Sequence, residues 1–454
     1  MKFQNPDDTI CALSTPQGLG AIAVIRVSGN QTFTIIDQLF SKNLSEKKSH
    51  TTHFGTIAED DRIIDEVLVS IFRGPNSFTG EDTVEIACHG STYIQNEILK
   101  VILNKGARLA GPGEFSLRAF LNGKMDLSQT EAIADLIASN SSASHQVAMN
   151  QMRGGFAKEI ADLRQSLMDF ASLIELELDF SQEDVEFADR TQLENLVNEV
   201  EVKVKDLVKS FDLGNVIKNG VPVAIVGAPN AGKSTLLNQL LNEEKAIVSD
   251  IAGTTRDVIE DTIVLNGIEF RFIDTAGIRE TTDTIENLGI ERAYDQIKKA
   301  KVVLFMVDSS EDEPITINQQ IDKLKSSLLS DKQLFIPILN KVDVASKYHF
   351  EIEGVVRLSA KNGEGVNDLI SKLTEMYQFG ETEGTVVTNL RHYEILSKCV
   401  VAIDKIKNGL ELQIPGDLLA MDIREVLGLL GEITGEISSD DLLGNIFSNF
   451  CIGK

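Results

Sequence analysis

No stretch of this sequence is long and apolar enough to enter a membrane. The longest clean apolar run, Val302 to Val307, falls well short of the about 20 residues that a helical span requires. The amino terminus lacks a basic segment leading into an apolar one, with Asp7 and Asp8 standing before Thr9, so no secretory signal is expected. Cysteine is scarce. Cys11, Cys88, Cys399 and Cys451 lie far apart and form no CxxC pair, which argues against a zinc site and a disulfide framework and fits reduced thiols. Positive charge is also in deficit: 43 Lys and Arg against 69 Asp and Glu leave a formal net charge of -26, which repels a polyanion at long range. Contact with RNA would then need a local basic patch or a partner. The expectation is a cytoplasmic protein with no membrane association.

The 42% hydrophobic and 25% charged residues are ordinary for a globular chain. At 454 residues the chain exceeds the size at which one core keeps growing, so roughly two to four domains are expected. Up to about Asn122, short β-type runs (Ala21 to Val27, Glu66 to Phe72, Thr83 to Ala87) surround a helical stretch, Tyr93 to Leu103, predicting an α+β domain over 1–122. A helical period takes over in 123–219, carried by Leu163, Leu167, Phe170 and Ile174 and then by Leu193, Val197, Val200, Val204 and Leu207. Across 220–384 apolar strands alternate with helices: Pro222 to Val226, Phe270 to Ile273, Val302 to Val307, Phe335 to Leu339 and Val355 to Leu358. That rhythm predicts a mostly parallel α/β domain. Helices return in 385–454, through Tyr393 to Leu410 and Leu418 to Ile433. The α/β domain therefore reads as an insertion into an all-α helical domain whose two parts, 123–219 and 385–454, fold together.

Gly227 to Ser234 fits G-x-x-x-x-G-K-[ST] and stands between an apolar strand and the helix Thr235 to Leu241, where a phosphate-binding loop must be. Glycine lets backbone N–H groups of Asn230, Ala231 and Gly232 face phosphates. Lys233 can reach the β- and γ-phosphates, Ser234 offers a hydroxyl to Mg²⁺, and Thr235 continues the helix. Asp274-Thr275-Ala276-Gly277 follows a strand, placing an acid near the metal and a glycine amide near the γ-phosphate. Asn340-Lys341-Val342-Asp343 ends another. The Asp343 carboxylate can accept from guanine N1–H and the exocyclic amine, donors that adenine lacks there, and Ser359-Ala360-Lys361 adds a backbone amide for O6. The pattern points to GTP.

Ile278 occupies the place where Ras-like switches carry a water-orienting glutamine, and an aliphatic side chain cannot do that work. Ser249-Asp250-Ile251-Ala252-Gly253-Thr254-Thr255-Arg256 is the candidate first switch, with a threonine able to reach Mg²⁺. Asn230 either supplies an oxygen to a monovalent cation beside the phosphates or only stabilises the turn; the residues alone leave both open.

Pro229 to Ser234, Gly253 to Asp257 (Gly-Thr-Thr-Arg-Asp), the terminal Phe450 to Lys454 (Phe-Cys-Ile-Gly-Lys), and the segments Pro75 to Asp82 and Pro112 to Ser116 together resemble the MnmE family of tRNA modification GTPases, over nearly the whole chain. The resemblance implies a potassium-dependent GTPase whose G domains pair face to face. By it, Asn230, Ser249, Ile251 and Thr254 would hold K⁺, Ser234 and Thr255 would hold Mg²⁺, and Glu286 would position water. The candidate catalytic set is Glu286, Lys233, Thr254 and Arg256. On its own, an acid at Glu286 reads as a solvated surface. The resemblance further implies a tetrahydrofolate site, for 5-formyl- or 5,10-methylene-tetrahydrofolate, in an N-terminal domain that also forms the homodimer. Its matching residues are Arg26, Glu85, Lys124 and Lys454, with Cys451 lining the site. A flavin (FAD)-dependent partner completing a heterotetramer, and tRNA modified at C5 of the wobble uridine, are implied in the same way. Ser249 departs from the family's common threonine and Ala228 from a frequent basic residue. Two other readings stay open: a regulatory GTPase of ribosome assembly, and a folate enzyme with a purely regulatory G domain.

Overall fold

The computed structural model describes residues 8–179, 190–242, 261–273, 297–327, 333–345, 348–375, 385–438, 440–448, 450 and 453. In chain order the first elements are β1 (Ile10–Leu13), β2 (Ile22–Ser28), α1 (Thr32–Ile36), β3 (Thr51–Glu59), β4 (Arg62–Phe72), β5 (Thr83–His89), α2 (Thr92–Asn104), β6 (Arg108–Leu109) and α3 (Glu114–Leu121). Four helices follow: α4 (Leu127–Ala138), α5 (Ser142–Met152), α6 (Gly155–Asp179) and α7 (Arg190–Asn219). Next come β7 (Val221–Gly227), α8 (Lys233–Asn242), β8 (Asp261–Leu265), β9 (Ile268–Phe272), β10 (Val302–Asp308), α9 (Pro314–Ser327), β11 (Leu334–Asn340), β12 (Val356–Arg357) and α10 (Val366–Glu375). The chain closes with α11 (Leu390–Glu411), α12 (Gly416–Thr434) and α13 (Asp440–Ser448). It divides into two compact units, one of Met1–Ala134, Gln151–Val197 and Val401–Lys454, the other of Asp135–Asn150 and Asn198–Val400.

The first unit contains a six-stranded sheet in the order β3-β4-β5-β2-β1-β6, antiparallel except for the β1–β6 pair. Strict alternation explains its core. Ala23, Ile25 and Val27 of β2, Val67, Val69 and Ile71 of β4, and Val84, Ile86 and Cys88 of β5 all point to one face, where Ile98, Val101 and Ile102 of α2 close over them. The predicted strands and helix in 1–122 therefore form, and β1, β3 and β6 join them. The same unit pairs α6 with α12. Leu163, Leu167, Phe170 and Ile174 recur at the three- and four-residue helical spacing and are buried, as are Leu419, Ile423, Val426, Leu430 and Ile433.

The second unit is built on the sheet β12-β11-β10-β7-β9-β8, parallel apart from the β8–β9 hairpin at one edge. Every residue of β10 is buried, because helices cover both faces and no side of the strand meets water. Val302, Leu304 and Met306 pack with Leu236, Leu237 and Leu240 of α8 and with Leu369 and Leu373 of α10. Val303, Phe305 and Val307 face Ile317 and Ile321 of α9 on the other side. The edge strand β8 was not anticipated: its alternation of Ile263 and Leu265 with half-exposed neighbours is too short to stand out in the sequence. Among the described residues, no helix is long and apolar enough to cross a membrane.

Candidate functional site

The loop between β7 and α8 is shaped by backbone conformations that side chains resist. Gly227 has φ 150° and a Cβ there would sit 2.3 Å from the Met306 carbonyl oxygen; Gly232 has φ 100° and its Cβ would fall 2.2 Å from Asn340 Nδ2. Asn230 adopts φ 62°, a left-handed value that asparagine tolerates better than most residues, and its side chain is exposed. Lys233 opens α8, and its Nζ donates to the carbonyls of Gly227 and Ala228 at 2.8 Å each. Burial pulls the Lys233 ammonium below the ordinary lysine pKa. An anion would counter that penalty, and the amino end of α8, where Ser234 and Thr235 follow Lys233, turns its positive dipole end toward the same place.

Three separated motifs meet at one buried side chain. Asn340 Nδ2 donates to the Ala231 carbonyl at 2.7 Å while the Ala360 amide donates to Asn340 Oδ1 at 2.9 Å, so Asn340 ties the phosphate loop to Ser359-Ala360-Lys361. Ser359 is buried and its amide donates to Glu364 O, closing the turn that aims the Ala360 and Lys361 backbone. Asp343 stands exposed two residues beyond Lys341, free of packing that would hide its carboxylate from a base. The sequence did not single out Asp308. This carboxylate ends β10, lies opposite Asn340 in the strand register, and is 2.5 Å from Lys341 Nζ. Burial alone would raise its pKa, but the Lys341 ammonium and the Ser310 hydroxyl and amide outweigh that and hold it below the ordinary aspartate value. Its only sequence signal is a charge directly after an unbroken apolar strand.

Of the residues expected to hold cations, Asn230 lies on the loop and Ser234 at the start of α8. Ser249, Asp250, Ile251, Ala252, Gly253, Thr254, Thr255 and Arg256 lie outside the described residues, as do Asp274, Thr275, Ala276, Gly277, Ile278 and Glu286.

In the first unit the register of β2 and β5 sets Arg26 opposite Glu85, and their side chains pair at 2.8 Å. The Arg26 guanidinium also lies over the Phe78 ring at 5.1 Å and the Phe115 ring at 5.6 Å from their centroids. Lys124 Nζ donates to the Pro75 carbonyl at 2.8 Å, and Asn122 Nδ2 donates to Thr79 O at 2.7 Å. Arg26, paired with Glu85, and Lys124 thus both reach the segment Pro75 to Asp82, whereas Cys451 and Lys454 lie outside the described residues. Cys11, Cys88 and Cys399 are buried; burial pushes the thiol of the first to about 12 and that of Cys88 to about 11.

Sequence reasoning missed the arginine that organises this region. Arg118, 4% exposed, bonds Glu81 at 3.0 Å and Glu114 at 3.2 Å, and Arg108 adds contacts to Glu114 at 2.6 Å and Asp8 at 3.1 Å. Ser28 Oγ donates to Glu81 Oε2 at 2.8 Å. Burial works to raise Glu114, yet its bonds to Arg108 and the Gly111 amide leave the carboxyl below the ordinary glutamate pKa. A solitary arginine within an apolar helix carries no periodic signal.

Comparison with known proteins fits this geometry. The family model described as the MnmE helical domain matches residues 127–451, and that described as the GTP-binding protein TrmE N-terminus matches residues 9–124. The tRNA modification GTPase MnmE of Flavobacterium psychrophilum is 55% identical over 460 residues, covering 98% of this chain and 99% of that one. The same-named protein of Cytophaga hutchinsonii is 54% identical over 458 residues, covering 99% of this chain and 98% of that one. Among solved structures, the G domain of the T. maritima FeoB iron transporter is 25% identical and covers 35% of this chain and 99% of that one, with a TM-score of 0.25, too low to argue from. Family models over both ends of the chain and relatives that share more than half of its residues end to end leave one assignment: the chain belongs to the MnmE family of tRNA modification GTPases.

Proposed function

We propose that this chain hydrolyses GTP to GDP and phosphate in the course of modifying tRNA. The observation that carries the reading is the pair of hydrogen bonds at Asn340, one donated to Ala231 O and one accepted from the Ala360 amide, which joins a phosphate cradle to a base pocket in one unit. A glycine-shaped loop alone would fit any phosphate; joined to Asp343 by one residue's reach, it fits a guanine nucleotide. Lys233 draws the phosphates, the α8 amides receive their charge, and Asp343 selects the base.

The finer reading is that K⁺ and Mg²⁺ serve the site. Asn230 and Ser234 fit those cations: one is an exposed amide oxygen on the loop, the other a hydroxyl at the start of α8. Ser249, Ile251, Thr254 and Thr255 would complete the sets, and Glu286, with Thr254 and Arg256, would serve hydrolysis. The cations would supply positive charge where the γ-phosphate departs. Arg26, Glu85 and Lys124, with Lys454 and Cys451, would hold a tetrahydrofolate in domain 1–122. An ion pair with aromatic rings on its guanidinium suits a flat heterocycle with a hydrogen-bonding edge. That folate would furnish a one-carbon unit. Homodimerisation, a flavin-dependent partner and cytoplasmic action on the wobble uridine belong to the same reading. So does the insertion of 220–384 between the helical parts 123–219 and 385–454, supported by a helical-domain match whose ends enclose the parallel sheet.

GTP turnover in K⁺ and in Na⁺ tests the proposal. Nucleotide affinity should be the same in both salts while hydrolysis collapses in Na⁺. Equal turnover would remove the K⁺ site, and absent turnover in both salts would remove the GTPase reading.

A further inference from the structure

Lys341 stands at the end of β11 with φ 63°, and its ammonium reaches sideways to the carboxylate at the end of β10. The lysine stem therefore runs from one strand end to the next across the carboxyl edge of a parallel sheet, the edge where such folds bind their ligands. It does so one residue from Asn340 and two from Asp343. The anchoring carboxylate is itself fixed. Asp308 is 6% exposed, its Oδ1 accepts from the Ser310 amide at 3.0 Å and the Ser310 hydroxyl at 2.6 Å, and its own amide donates to Asp312 Oδ2 at 2.9 Å.

We propose that Asp308 is a positioning residue of the nucleotide site: it holds Lys341 extended, so that the lysine's apolar stem forms one wall for the base while its charge is neutralised at the far end. Released from Asp308, the four-carbon chain regains its rotamers, and binding must order it again. The base contact is the same in GDP, GTP and the transition state, so Asp308 contributes uniform binding and not catalysis. The inference rests on the guanine-pocket reading and deepens it.

Equilibrium titration with a fluorescent GDP, on the full chain, tests it. Asp308→Asn keeps the size of the side chain and an acceptor for Ser310 but loses the charge. It should weaken GDP and GTP alike by about tenfold, raising KM for GTP with kcat unchanged. Lys341→Ala should lose a similar factor, and the double variant should bind no worse than Lys341→Ala alone, since residues acting through one contact are not additive. Ser310→Ala, which loosens the same loop but leaves the ion pair, should keep wild-type affinity. Losses that multiply in the double variant, an equal loss in Ser310→Ala, or a fall in kcat would each overturn the role. Should Asp308→Asn fail to fold, Asp308→Glu decides: retaining charge, it should bind GDP within about threefold of wild type, and a tenfold loss would overturn the proposal. Asp343→Asn separates the two levels of the argument. It should shift preference from guanine toward xanthine; if it does not, the pocket itself is misassigned, whatever Asp308 does.

Discussion

The two sheets of this chain hold charge in opposite ways. In the parallel sheet the site is made mainly of backbone: Gly227 and Gly232 in conformations closed to other residues, loop carbonyls facing Lys233, and one asparagine stitching three loops. In the antiparallel sheet it is made of side chains, with Arg26 paired to Glu85 and Arg118 buried between Glu81 and Glu114. A backbone-built site tolerates almost no added atom. A side-chain-built site fails when a charge loses its partner. The two regions should therefore break under different substitutions, one losing ligand and the other losing fold.

The largest effect on ligand binding is expected at Gly232→Ala. A methyl group there would lie 2.2 Å from Asn340 Nδ2, on a backbone with φ 100°. The amide would have to leave the Ala231 carbonyl, opening the link between cradle and base pocket. GDP and GTP affinity should fall at least about 100-fold, with the helical and strand signals of circular dichroism retained. A loss below about tenfold would mean that the asparagine link is dispensable and the contrast overstated.

Arg118→Met is the counterpart in the antiparallel region. It leaves Glu81 and Glu114 with fewer partners in a buried setting, and stripping one member from such a network costs about 3–5 kcal/mol. Urea unfolding should show that loss, with GTP affinity of the parallel unit unchanged. The pH dependence has a definite sign. Glu114 sits below its ordinary pKa in the fold, so its contribution is present above the ordinary value and is lost as pH falls through the folded one. Arg108 and the Gly111 amide still hold Glu114 down in the variant, so it should unfold at a higher pH on acidification chiefly because it starts from a lower stability. An unchanged acid midpoint would place the stability of this region elsewhere.

The same contrast explains what could be read in advance. The loop Gly227 to Ser234 and Asn340 to Asp343 were legible because close approach and left-handed backbone restrict residue type, so spacing carries geometry. The strands β7, β10 and β11 were legible because burial on both faces leaves unbroken apolar runs. Asp308 and Arg118 were not, since a buried ion pair is defined by where another strand or loop brings its partner. Arg26 and Glu85 became candidates through family resemblance, and only the β2–β5 register places them side by side.

The smallest effect tests whether the parallel unit depends on paired charge beyond the Asp308–Lys341 pair. Glu269 on β9 is the case in point: burial raises the carboxyl above the ordinary glutamate pKa, and its bond from Asn140 and the nearby Arg271 offset that only in part. A carboxyl raised in the fold contributes stability that is complete below its unfolded pKa and is lost as pH rises through the folded value. The ionised form at neutral pH therefore weakens this edge of the sheet. Glu269→Gln removes the ionisation and keeps a side chain able to bond Asn140. Its thermal midpoint should exceed wild type slightly at about pH 8, and the two should converge at about pH 3, where Glu269 is protonated in both states. A midpoint below wild type at the higher pH would show that the charge on Glu269 is compensated by Arg271, and that the parallel unit leans on a second ion pair besides Asp308–Lys341.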